Sequence, residues 1–210
     1  MPNELRALTG ARTMRALAHP LRIKLLELVT LRGPLTASQC APLVGESPSS
    51  CSFHLRQLAK YGYLEEAPTG VGRNRPWQAT AVGHHWEPDE NSTVAARAAS
   101  EALAEQFRER SEELYREYLA AADRFEPAWS TSAMDASANL YLTPAELAQM
   151  SDDLMTLWQK YLDRVAAPSR RPDGARLVHL RAQGFPRADD LEAEAPTSPE
   201  TTPNKENDDA

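Results

Sequence analysis

Between residues 19 and 62 the chain starts and stops a helical pattern three times in quick succession. His19-Pro20 opens the first run, with Pro20 at the first helical position, where its missing N–H costs nothing. Leu21, Leu25, Leu28 and Val29 then form an apolar stripe, and Gly33-Pro34 closes the run. Thr36 caps a shorter helix over 37–44 that stops at Gly45. Ser47, followed by Pro48, caps a third over 48–60 that stops at Gly62. Helices this short gain little from propensity alone. They must bury their stripes against one another, which dictates a compact helical cluster.

The run "SPSSCSFHLRQLAKYGYLEE" (47–66) shows what such a cluster presents to solvent. Cys51, Leu55 and Leu58 fall at i, i+4 and i+7 and must face inward, with His54 flanking them. Ser49, Ser50, Ser52, Phe53, Arg56 and Lys60 are left looking outward. Strands are expected at 63–67 and about 75–80, around a turn that contains two glycines with Arg73 and Arg75. A further helix is expected near 4–18, with Leu5, Leu8, Met14 and Leu17 roughly on one face and Gly10 as its weak point. Helix, short helix, helix and β-hairpin make a winged helix-turn-helix. The outward face of 48–60 reads as a recognition helix whose short side chains let the backbone approach bases closely.

Charge supports that reading once it is divided along the chain. The net charge of -7 alone argues against a polyanionic partner. Yet residues 1–86 hold 10 Lys and Arg against 5 Asp and Glu, while 87–210 hold 13 against 25. A local basic surface governs phosphate binding through counterion release, whatever the total.

The order of "LAHPLRIKLLELV" (17–29), "SPSSCSFHLRQLAKYGYLEE" (47–66) and an arginine-bearing wing resembles the bacterial ArsR/SmtB family of winged-helix repressors. The resemblance covers about residues 10–82. It implies a homodimer that represses by occupying inverted-repeat operators in double-stranded DNA. It also implies a metal site that this sequence departs from. Founding members sense metal through a Cys-x-Cys pair at the start of the third helix, where Thr36 and Ser38 stand here. Hydroxyls are poor ligands for soft metals. A non-metal-sensing member is therefore expected, with no cofactor.

Residues 92–165 form a second region. "STVAARAASEALAEQFRERSEELYREYLAAADRFEP" is a long helical pattern with Leu103, Phe107, Leu114, Tyr118 and Phe125 near a seven-residue repeat, interrupted by Arg110 and Glu117. It resembles the family's dimerisation element. "DASANLYLT", "PAELAQMSDDLMTLWQKYLDRV" and "ARLVHLRAQGFP" then read as strand, amphipathic helix and strand, with Thr143 and Glu146 set for a capping box. The fold expected is thus mainly α (α+β): a DNA-binding domain over 1–86, then a dimerisation or effector domain over 87–186. Residues 187–210, acidic and rich in Pro and Thr, read as a disordered tail.

Each site residue has a sharp and a plain reading. Arg56 is a phosphate or guanine contact, or a solvated helix charge. Ser49, Ser50 and Ser52 reach phosphates or base edges, or are small capping residues. Phe53 meets a thymine methyl or sugar, or packs on the preceding long helix. Lys60 joins them at the end of the same face. Arg73 and Arg75 suit phosphate or minor-groove contact. Adjacent His84 and His85 lack the spacing of a metal site, and His19 reads as a helix cap. Cys40 and Cys51 read as core residues, with a redox switch at Cys51 as the alternative.

No nucleophile motif, phosphate loop or paired ligand set points to an enzyme. No apolar run reaches the ~20 residues of a membrane span, and a cytoplasmic location is expected. Two rival readings remain: a winged-helix module that binds protein without DNA, and a metal-responsive repressor. For the last helix, a lid that completes the dimer competes with one wall of an apolar cavity near Phe125 and Trp129, holding a small organic effector.

Overall fold

A computed structural model describes residues 5–8, 10–68, 75–86 and 93–189 of the chain. Two units divide it, Met1–His179 and Leu180–Ala210. In the first, the elements run β1 (Leu5–Ala7), α1 (Ala11–Leu17), α2 (Pro20–Arg32), α3 (Ala37–Val44), α4 (Pro48–Lys60), β2 (Leu64–Glu66), β3 (Trp77–Ala79), β4 (Gly83–His85), α5 (Val94–Ala120), α6 (Pro127–Ser132) and α7 (Pro144–Ala166). The fold is mainly α, a winged helix-turn-helix followed by a long helix. None of the described helices is long and apolar enough to cross a membrane.

Local chemistry sets the helix ends. His19 Nδ1 accepts from the Leu21 N–H at the start of α2. Thr36 and Gln39 form a reciprocal capping box on α3, and the αL Gly45 ends that helix. Ser47 Oγ accepts from the Ser50 N–H to start α4. One core joins these helices: Leu17, Ile23, Leu25, Val29, Cys40, Cys51, Leu55, Leu58 and Tyr63 are essentially inaccessible to solvent. Ala99 and Leu103 of α5 belong to the same core. Tyr63 keeps its hydroxyl satisfied by donating to the Thr13 carbonyl at 2.9 Å.

Polar contacts fix α5 further along. Lys24 and Glu27 of α2 meet Glu113 and Arg110 of α5 at 2.6 and 2.9 Å, and Arg110 also binds Glu113 at 2.8 Å. Arg110, an interruption in the heptad pattern, thus bridges the two helices alongside the Lys24–Glu113 pair. Burial pushes the Glu27 carboxyl up, against the pull of Arg110. The hydrogen bonds and charges of Glu113 and Glu27 hold Arg110 charged.

The structure corrects three expectations. The first helix does not reach back to residue 4. Gly10 sits at φ 86, and the chain before it forms β1, paired in parallel with β4 in the register Leu5↔Gly83 to Ala7↔His85. The helix is Ala11–Leu17 alone. Second, the hairpin strands are shorter than predicted, Leu64–Glu66 against Trp77–Ala79. Third, the strand-helix-strand reading fails at its strands. Within the described residues, 133–143 and 175–187 pair with no neighbour as strands. The helix between them forms as predicted, with Thr143 and Glu146 closing its capping box. Most of the tail read as disordered, residues 190–210, lies outside the described residues.

Candidate nucleic-acid interface

The outer surface of α4 follows from what its inner surface must do. With Cys51, Leu55 and Leu58 each fully buried, the opposite side of the helix is fixed in orientation. Ser49, Phe53, Arg56 and Lys60 are exposed there, at i, i+4, i+7 and i+11. A stripe of that spacing runs about 16 Å along the helix axis. Ser50 and Ser52, predicted to look outward, are half-buried on its flank.

The stripe is cationic and open. Arg56 Nε donates back to the Ser52 carbonyl at 3.1 Å, which holds the guanidinium along the helix surface. Among the described residues no carboxylate forms an ion pair with Arg56 or Lys60. Lys60 Nζ sits 5.7 Å from the centre of the Tyr61 ring. At the other end, the Ser47 and Ser49 hydroxyls lie 2.9 Å apart at the first turn, where Pro48 has no N–H and the Ser50 N–H donates to Ser47 Oγ. Hydroxyls at one end and two cations at the other suit a phosphate-lined groove about 12 Å wide.

Phe53 is 52% exposed, so the core does not account for it. Its edge meets the His54 ring at 5.1 Å, and the His54 ring in turn lies 4.6 Å from His19. The sequence pattern gave no sign of this chain of rings, which links the cap of α2 to the exposed face of α4. His19 and His54 belong to different helices, and only tertiary packing brings them together. Burial, then the nearby Arg22, lowers the pKa of both rings and so disfavours their charged forms.

The wing is described only at its base. Arg75 Nη1 donates to Glu66 Oε2 at 2.7 Å, and Gln78 Nε2 donates to Glu65 Oε1 at the same distance. Arg73 lies outside the described residues. The predicted wing cations are therefore represented by Arg75 alone, and it is bound to a carboxylate.

The remaining predicted groups occupy structural positions. Thr36 is committed to the cap of α3 and Ser38 is exposed on its first turn. Cys40 and Cys51 are both fully buried. Burial pushes the Cys40 thiol up to about 11 and raises that of Cys51 as well. His84 and His85 lie on β4, where neighbouring side chains point to opposite faces. His84 packs against the Tyr63 ring at 5.3 Å.

Comparison with known proteins points the same way. Residues 19–66 match the family described as bacterial regulatory protein, arsR family. A curated relative, the probable mercury resistance operon repressor of Streptomyces lividans, is 42% identical over 62 residues. That alignment covers 30% of this chain and 49% of the relative, so the chain spans about half the length of the curated relative it matches.

Proposed function

We propose that this chain is a DNA-binding transcriptional repressor, because residues 19–66 match the family described as bacterial regulatory protein, arsR family. One observation carries the reading. The exposed stripe Ser49–Phe53–Arg56–Lys60 presents two uncountered cations, an aromatic ring and a hydroxyl on a helix whose other side is locked into the core. In this reading α4 enters the major groove. Ser50 and Ser52 reach phosphates at its flank, and Arg73 and Arg75 hold the backbone from the wing. Residues 1–86 bind DNA and 87–186 assemble the dimer. That division is one of roles, since Ala99 and Leu103 share the core of the first part.

A homodimer places two such helices on an inverted repeat, with half-sites about one helical turn apart or a multiple of it. The protein acts in the cytoplasm, where its DNA lies. Metal plays no part in its release, because Thr36 and Ser38 replace the thiol pair and Thr36 is spent on a helix cap. Zn²⁺ or arsenite at low micromolar levels should leave the complex intact, and reversible release by either would revive the metal-responsive reading. A small organic effector near Phe125 and Trp129 is the regulatory input this leaves.

The decisive experiment selects bound sequences from random DNA with purified protein, then titrates the best against the Arg56→Ala variant. Loss of about 1–3 kcal/mol of specific binding is expected if Arg56 reads a base pair. An unchanged affinity would remove α4 as the recognition helix. No selection of any sequence would favour the protein-binding module instead.

A further inference from the structure

Helix α7 is 23 residues long and none of its residues is fully buried. That leaves its apolar face incompletely covered, although most helical stability in proteins comes from covering that face. Its apolar residues fall into two seams. Met155, Trp158, Leu162 and Val165 are all half-buried. The second seam is Leu147, Met150, Leu154, Leu157 and Tyr161, with alternating spacings of three and four residues. Met150, Leu157 and Tyr161 on it are 46%, 47% and 52% exposed. Alternating three-four spacing is the pattern that packs knobs into the holes of another helix.

Charge along the helix identifies that other helix. Glu146, Asp152 and Asp153 lie in its first half, which contains no Lys or Arg. Lys160 and Arg164 lie in its second half, followed directly by Arg170 and Arg171. Asp163 is the exception, and Arg170 neutralises it at 3.0 Å. Arg164 rests over the Tyr161 ring at 4.9 Å, at the edge of the exposed seam. A helix acidic at its start and basic at its end is complementary to a copy of itself running the opposite way. Antiparallel pairing sets each acidic half against a basic half and opposes the two helix dipoles. A two-fold axis generates that arrangement from identical chains.

We infer that α7 pairs antiparallel with α7 of a second copy through Met150, Leu154, Leu157 and Tyr161. The inference rests on the dimeric reading above and assigns the dimer a surface outside the winged helix. The full chain is tested by sedimentation velocity across a micromolar concentration series. The wild type should sediment as a dimer. Leu157→Glu, at a half-exposed site, should raise the dissociation constant at least tenfold without changing the circular dichroism spectrum.

A second pair of variants tests polarity. Reversing the acidic half (Asp152→Lys, Asp153→Lys) or the basic half (Lys160→Glu, Arg164→Glu) should weaken self-association. Mixing the two variants should restore it as a heterodimer. A wild-type dimer that survives both Leu157→Glu and the charge reversals would overturn this surface while leaving the dimer standing. A wild type that is monomeric throughout would overturn the dimeric reading and this surface together.

Discussion

Arg75 and Glu66 face each other across the base of the wing, the guanidinium donating to the carboxylate at 2.7 Å. Both side chains are about half exposed, so the pair contributes roughly 0–1 kcal/mol to stability. Its consequence is for binding instead. A phosphate that recruits Arg75 must compete with Glu66. Glu66→Gln should therefore tighten DNA binding without sequence preference and steepen its dependence on salt, while the thermal midpoint stays where it is. Arg75→Ala should flatten the salt dependence by about one counterion. Titrations at two salt concentrations measure both, and equal slopes for the three proteins would take the wing out of the interface.

Phe53 separates binding from folding. Its ring is half exposed, so Phe53→Ala should change stability by less than about 1 kcal/mol. Leu58, one turn further along and fully buried, should cost about 2–5 kcal/mol when cut to alanine. In the proposed complex the order reverses, with Phe53→Ala impairing DNA binding at protein concentrations where the variant is fully folded. Paired urea melts and DNA titrations compare them. A Phe53→Ala protein that binds normally would leave the ring with only its edge contact to His54.

The buried thiols should be inert. Cys40 and Cys51 are fully buried and both are held as thiols by burial, Cys40 with a pKa of about 11. A thiolate-selective reagent at pH 8 should label neither in the native protein and both in denaturant. Rapid native labelling of Cys51 would restore the redox switch as a reading of α4.

Which parts of this molecule were legible in the sequence follows from how far their causes reach along the chain. Caps at His19, Thr36, Ser47 and Thr143 act over two or three residues, and each stands where the sequence places it. The inward face of α4 was legible for the same reason. β1 was not, because its partner Gly83–His85 is remote in sequence and Leu5 and Leu8 fit a helix equally well. The alternating residues around 137–142 and 175–186 show the limit of the strand signal. A strand needs a neighbour for its N–H and C=O groups, and no local pattern supplies one. Ser50 and Ser52, expected to look outward, are half-buried on the flank of the stripe, because a burial period read from sequence does not resolve residues between the two faces.

His84 makes stability depend on pH. Burial first, then Arg6 and His85, lowers its pKa from 6.5 to about 4, and its buried Nε2 has no hydrogen-bond partner among the described residues. The folded ring is therefore a weaker base than the unfolded one, and between those two values the unfolded chain binds more protons. Stability is complete above pH 6.5 and falls as pH drops toward 4, by about 2 kcal/mol between pH 7 and pH 5 from this group. His84→Phe, which keeps a ring against Tyr63, should remove that part of the slope. Urea midpoints at the two pH values for both proteins are the measurement, and parallel losses would assign the acid sensitivity to His19 and His54.

Arg110 tests the junction of α2 with α5. Its guanidinium side chain is only 17% exposed and serves Glu27 and Glu113 at once. Arg110→Ala leaves Glu27, itself largely buried and already pushed toward its neutral form, without the cation that offsets its burial. The loss should be about 1–3 kcal/mol, less than for a fully enclosed pair because Glu113 still has Lys24 and water. The physical cause can be isolated, because the penalty belongs to the stranded charge more than to the missing contact. Adding Glu27→Gln to Arg110→Ala should therefore recover part of the stability, whereas additivity predicts a further loss. If the double variant is less stable than Arg110→Ala alone by the full cost of Glu27→Gln, the two residues act independently. The long helix would then be held on α2 by Ala99, Leu103 and its apolar neighbours without help from the ion pair.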